Sequence, residues 1–321
     1  MGTPSLRLPD FVIAGAQKCG TTSLHRYLGA HPGLYLPRRP RREELHFFDF
    51  DENFAKGVDW YAAHFEQAGS RQKVGQTSPL YLYDERVPSR LANALPHARL
   101  IFLLRDPVAR AYSHYWHQVK KGTEDLTFME ALAAEPGRLA RDYESRRQYS
   151  YVDRGRYARQ LARFTRLFPR TQLLVLSTEA LGSRPLQVLG RCFDFLGVDP
   201  LPADVVAELA AKRFNEARLP RSQALQHWIG KRRSRMPFVA TVVDKLNLRP
   251  ATTPPMPEQA RAYLLEQFAD DTERLEREFD FDTSAWPSAQ RGARVTAAQP
   301  TQEASSTPLH GDGDHAGAGV F

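Results

Sequence analysis

FVIAGAQKCGTTSL, residues 11–24, sets an apolar run, Phe11 to Ala14, directly before a glycine-bounded turn and a trio of hydroxyl residues. Gly15 and Gly20 have the spacing of a triphosphate-binding loop, in which a glycine and four residues precede Gly-Lys-Ser/Thr. Thr21 occupies the lysine position, however, and the only lysine of the turn, Lys18, lies inside it. A turn of this kind between strand and helix gathers backbone N–H groups and the positive helix end around one point, which makes an anion site. Thr21, Thr22 and Ser23 open that helix and add hydroxyl donors, while Leu24 and Leu28 supply its inner face. The stretch therefore predicts the opening unit of an α/β fold, with its cation moved from the usual place.

Working outward, four short runs read as strands: Phe11 to Ala14, Lys73 to Gly75, Leu100 to Leu104 and Gln172 to Leu176. They alternate with helical patterns, as in a parallel sheet covered on both faces. Arg156 to Phe168 spaces Tyr157, Leu161, Phe164 and Phe168 as one apolar helix face, between Gly155 and Pro169. Pro257 to Phe279 does the same with Leu265, Phe268, Thr272, Leu275 and Phe279, predicting a long surface helix. Residues 230–257, containing KRRSR and RPATTPPMP, read as a long loop or lid around one apolar segment, Phe238 to Val243. From Ser288 the composition turns to small and polar residues, too poor in large apolar groups to offset ordering entropy. The expected organisation is a single P-loop-like α/β domain over residues 1–288, with a central parallel sheet flanked by helices, and a disordered tail over 289–321.

The 321 residues carry a net charge of +7, with a pI near 9.5. That balance suits anionic ligands without specifying nucleic acid, and no nucleic-acid partner is expected. Cys19 and Cys192 are too few for a disulfide framework or a zinc site of ordinary spacing. No apolar run approaches the roughly 18 to 20 residues of a membrane span, and MGTPSLRLPD at the start lacks the layout of a signal peptide, so the expected location is cytoplasmic.

Two more stretches carry chemistry. In IFLLRDPVARAYSHYW, residues 101–116, Arg105 leaves a buried strand, Asp106 is a candidate helix cap and Pro107 suits the first helical position. An arginine and a hydroxyl at one sheet edge can share a phosphate. In RRPRREELHFFDF, residues 38–50, an extended backbone points Glu44 and His46 the same way, as two candidate proton acceptors. The arginines before them are either a hold for an anionic acceptor or a solvated charge run. His114 and His117, three apart on one helix, suggest metal only weakly, because no third ligand accompanies them.

Together, QKCGTTSL, EELHFFD and LLRDPVARAYSHY resemble the motifs of sulfotransferases that use 3'-phosphoadenosine 5'-phosphosulfate (PAPS). The likeness is nearest to the heparan sulfate branch and its bacterial relatives, and it runs in order, with VGQTSPLYLY and FPRTQLLVLSTEAL, over residues 9–285. The resemblance implies that Lys18, Cys19, Gly20, Thr21, Thr22 and Ser23 hold the 5'-phosphosulfate, and that Arg105 and Ser113 take the 3'-phosphate. It makes Glu44 the general base, with His46 the rival for that role, and has His46 and Asp49 shape the acceptor site. A further cofactor contact is expected in KRFNEARLPRS (212–222), at Arg218 or Arg221. Gln76 and Thr77 stand where the family often has lysine or glutamate, at positions that touch acceptor in some members. What the resemblance implies is sulfuryl transfer from PAPS, with no metal required, to a hydroxyl of a glycan, glycolipid or small secondary metabolite, possibly anionic. The rivals are a P-loop small-molecule kinase and a basic protein that binds polyanions through residues 38–42 and 231–235.

Overall fold

The structure is a computed structural model that describes residues 6–37, 44–211 and 218–289. Strands β1 (Phe11–Gly15), β2 (Leu34–Tyr35), β3 (Lys73–Thr77), β4 (Arg99–Leu104) and β5 (Leu173–Ser177) form one sheet in the order β2-β3-β1-β4-β5. Every pairing in it is parallel. β1 is buried along its whole length and β4 at all but Arg99, so neither strand shows the polar alternation of a one-faced sheet.

Side-chain alternation divides these strands between two cores. Val12, Ala14, Leu100, Phe102 and Leu104 face one side, with Tyr157, Leu161, Phe164 and Phe168 of the predicted helix packed on them. Phe11, Ile13, Ile101 and Leu103 face the other, against Leu24, Leu28, Leu189 and Phe193. From β1 the chain runs out to the edge at β2, returns beside β1 as β3, and crosses to β4 on the far side. The strand order thus reverses around β1, where open α/β sheets leave a crevice at the strands' carboxyl ends.

The long helix spans Glu258–Phe279, but its buried stripe is Ala260, Leu264, Phe268, Leu275 and Phe279, one residue away from Leu265 in its first half. Asp271, in the same helix, caps the helix Tyr157–Thr165 from a distance, accepting from the backbone N–H groups of Ala158 (2.9 Å) and Arg159 (3.0 Å).

Two expectations are corrected. Residues 230–257 are a loop only at 231–236 and 251–257: helices Gln223–Gly230 and Pro237–Asn247 form a hairpin, closed at its base by the antiparallel ribbon β6 (Arg218–Pro220) and β7 (Leu248–Pro250). Residue 289, the first of the expected tail, packs on the first core, next to Ser288, whose N–H donates to Asp106 from the expected end of the domain. The rest of the expected tail, from residue 290, lies outside the described residues.

Candidate active site

Residues that follow β1, β3, β4 and β5 line one cleft of about 1240 Å³. Its first wall is the turn after β1. Gly20 takes φ 85°, in the left-handed region that glycine adopts at no steric cost, and ends the turn as the helix Thr21–Leu28 begins. No side chain caps that helix, and Gly20, Thr21, Thr22 and Ser23 all line the cleft; the Ser23 N–H donates to the Gly20 carbonyl, and the N–H groups ahead of it face an anion site. The Thr178 hydroxyl fixes the turn by bridging the carbonyl oxygens of Cys19, at 2.6 Å, and Leu104, at 2.9 Å.

The second wall is the helix Pro107–Lys121. Asp106 caps it by accepting from the N–H groups of Val108 (2.9 Å) and Ala109 (3.2 Å), and Pro107 takes its first position. Arg105 and Ser113 both line the cleft beside Lys18. Lys120 and Lys121, from the last turn, join them. Burial, and then the like charges of Lys120, Arg105 and Lys121, lower the Lys18 pKa to about 8. Such mutual repulsion among cations that share a cleft marks a site made for an anion. His117 also lines it, and is lowered to about 3 by burial and then by Lys18, Lys121 and Lys120, so it stays neutral.

The third wall carries Glu44 and His46. This segment is held by contacts across the fold. The Phe47 and Phe48 N–H groups donate to the buried Tyr81 hydroxyl oxygen, and the Asn53 amide donates to the carbonyls of Leu45 and His46. Arg86 and Tyr143 both donate to the Asp49 carbonyl, at 2.6 and 2.9 Å. His46, at φ 50°, places Nδ1 2.8 Å from Asp49 Oδ2 and Nε2 3.4 Å from Glu44 Oε2. Burial works against its positive charge, yet the hydrogen bonds to Asp49 and Glu44 outweigh it and raise its pKa to about 9. Asp49 is fully buried, and Phe50 stacks on the His46 ring at 4.6 Å.

The structure thus gathers Lys18, Gly20, Thr21, Thr22, Ser23, Arg105, Ser113, Glu44 and His46 around one space. Cys19 is an exception in its side chain: the buried thiol turns away to the Tyr157 hydroxyl, 3.6 Å off, and burial pushes its pKa up. Its backbone is used within the turn as well, the N–H donating to the Ala16 carbonyl and the carbonyl accepting from Thr178, and Cys19 does not line the cleft. Arg221 is exposed and does not line the cleft; its N–H donates to the Asn247 carbonyl. The Arg218 side chain, like the arginines of 38–42, lies outside the described residues. Gln76 and Thr77 point inward, to Tyr61 and His25, and neither lines the cleft. His114 is buried and hydrogen-bonded to Gln118, and among the described residues no three His, Cys, Asp or Glu are grouped to hold a metal. Sequence reasoning missed Thr178, Lys120, Lys121 and Arg147, which all line the cleft. The signals available were the paired lysines ending an amphipathic helix and, for Thr178, its place at the end of the apolar run in FPRTQLLVLSTEAL.

The model of the sulfotransferase domain family matches residues 8–238. Human bifunctional heparan sulfate N-deacetylase/N-sulfotransferase 3 is 34% identical over 203 residues, which is 60% of this chain and 23% of that protein. Mouse heparan sulfate glucosamine 3-O-sulfotransferase 5 is 32% identical over 198 residues, 60% of this chain and 55% of that protein. The chain therefore spans only part of the length of either relative. A solved sulfotransferase from Alicyclobacillus acidocaldarius has 31% identity and a TM-score of 0.64, covering 87% of this chain and 98% of its own. A family match over most of the chain, and a solved relative at 31% identity that shares the fold over 87% of it, show that this chain belongs to the sulfotransferase family.

Proposed function

We propose that the protein transfers a sulfuryl group from PAPS to a hydroxyl of an anionic acceptor: a glycan, a glycolipid or a small secondary metabolite. The observation that carries this reading is that Lys18, amid cations, and Glu44, amid proton-transfer partners, line the same cleft. The donor set fits a molecule with two separated phosphate groups. An uncapped helix end with Lys18 suits one of them, and Arg105 with Ser113, on the neighbouring strand end and helix, suits the other.

When bound, PAPS supplies a sulfuryl group on a phosphate leaving group. Lys18 would hold the phosphate end of the donor and would stabilise negative charge developing on that leaving group. Because less charge gathers on the moving group than in phosphoryl transfer, a lysine inside the turn serves where kinases place theirs beside a metal. Glu44 accepts the proton of the attacking hydroxyl. His46, held as an imidazolium between two carboxylates, orients Glu44. Lys121 and Arg147 line the same cleft as Glu44, and Lys121 feels the charge of both, which favours an acceptor with its own negative charge. The two relatives named above carry heparan sulfate, a polyanion, in their names.

Incubation with sulfur-labelled PAPS and fractionated cell extracts, followed by mass spectrometry of whatever gains a sulfo group, tests the reading. It also identifies the acceptor. A rise in melting temperature with ATP and none with 3'-phosphoadenosine 5'-phosphate (PAP) would overturn it in favour of a kinase.

A further inference from the structure

The helical hairpin of residues 223–247 has an inner face fixed to the domain. Ile229 and Ala240 are buried, and the Gln226 amide donates to the Lys120 carbonyl (2.9 Å) and to Asp244 (2.7 Å). Its outer face departs from the rest of the surface. Of the ten large hydrophobic side chains exposed among the described residues, six are here: Leu225, Trp228, Met236, Phe238, Val242 and Leu246. Phe238 is 80% exposed and Leu246 71%. Phe238, Val242 and Leu246 are four residues apart, so they form a single stripe along their helix, and it faces solvent where such a stripe normally faces the core.

Charge is concentrated in the same place. Residues 221–249 contain seven lysines and arginines against one acidic residue, Asp244, so this segment supplies +6 of the chain's +7. Asp244 itself is taken by Arg233, at 2.8 and 3.0 Å. Lys231, Arg232, Arg235, Lys245 and Arg249 are exposed around the stripe.

We propose that this hairpin docks the protein on an anionic lipid surface. Large apolar side chains in a helical stripe, rimmed by charges of one sign, match the two layers of such a surface. The apolar groups enter the acyl boundary and the cations meet the headgroups. A fluid bilayer asks for no matching contour, only for that order of apolar and cationic groups. Trp228, with the Arg232 guanidinium 4.7 Å over its ring, has the amphipathic character of an interfacial anchor. The inference uses no residue assigned to sulfuryl transfer and stands apart from that assignment.

The test is co-sedimentation of the full chain with vesicles of phosphatidylcholine alone, or with about one third phosphatidylglycerol. The protein should sediment with the anionic vesicles only, and less as salt rises. Phe238→Ser with Leu246→Ser should weaken partitioning about tenfold or more. Lys231→Gln with Arg235→Gln should weaken it and flatten the salt dependence. All four side chains are exposed, so both double variants should melt as the parent does and keep their stabilisation by PAP, which separates a failure of docking from a failure of donor binding. Absence of sedimentation with anionic vesicles would overturn the proposal, as would equal sedimentation of the Phe238→Ser, Leu246→Ser variant. A concentration-dependent dimer of the parent that this variant abolishes would assign the stripe to a second copy, and would overturn it equally.

Discussion

In the proposed reaction, His46 decides which group takes the acceptor proton. Both its ring nitrogens lie against carboxylates, and only the imidazolium has a proton to donate on each side. Its pKa of about 9 lies above the ordinary 6.5, so the stability it contributes is complete below about 6.5 and is lost as pH rises through about 9. A ring already protonated at neutral pH has no lone pair to offer, which leaves the proton to Glu44. Glu44→Gln keeps the shape and should lower turnover about a hundred to ten thousandfold with PAP affinity unchanged; His46→Asn should cost distinctly less. The reverse ranking, at saturating PAPS with the acceptor found by labelling, would move the role to His46. Lys18 carries a second prediction. With a pKa of about 8 in the free protein, it must take up a proton to meet an anion above that pH. PAP affinity should fall as pH rises through about 8, with proton uptake seen by calorimetry in buffers of different ionisation enthalpy. Lys18→Ala should remove that uptake and lower turnover by roughly a hundredfold or more; uptake that persists in the variant would place the titrating group elsewhere. Lys18, Arg105 and Glu44 were legible because each sits in a local motif. Thr178 and Lys120 had only weak local signals and Arg147 none, since they reach the cleft only through the fold.

At the scale of elements, strands buried on both faces declare themselves, as the unbroken Leu100 to Leu104 did. β2, β6 and β7 are only two or three residues long and leave no period to read. The hairpin is hidden for a different reason: Phe238, Val242 and Leu246 have helical spacing but face solvent, so they make no core stripe. Pro237, at the first helical position, was the overlooked signal. The hairpin meets the cleft at a contact between backbones. Gly122 ends the helix Pro107–Lys121 at φ 75°, and a Cβ on it would lie 1.9 Å from the Gln226 carbonyl oxygen. A Cβ on Gly230 would lie 2.3 Å from the Gly122 carbonyl oxygen. Gly230→Ala therefore overpacks a site that cannot yield by turning a side chain, and should cost about 1–3 kcal/mol. Lys120 and Lys121 precede Gly122 directly, so PAP should bind more weakly as well. Thermal melting with and without PAP checks both, and an unchanged variant would show that the two backbones are not pressed together.

The whole molecule is closed by its last described residues. Trp286 is fully buried in the first core, against Phe281 (5.3 Å between rings) and Tyr157 (6.3 Å). Two residues on, the Ser288 N–H donates to Asp106 Oδ2 at 2.8 Å, while Asp106 Oδ1 caps the helix that carries Ser113. Pro287, between them, lines the cleft. The end of the domain thus braces the wall assigned to the 3'-phosphate, a long-range role that composition could not reveal, since Trp286 is a lone large residue ahead of a small and polar run. Residues 290–321 have the composition of a segment without a core. A chain ending at Ala289 should therefore match the full chain in melting temperature and PAP affinity. A chain ending at Ser284 loses Trp286, worth about 3–5 kcal/mol by analogy with large-to-small core substitutions, and also the Ser288 partner of Asp106. It should melt markedly lower and bind PAP more weakly. The pair of truncations separates the two claims. A drop on ending at Ala289 would give residues 290–321 a structural part, and no drop on ending at Ser284 would show that the brace carries neither stability nor binding.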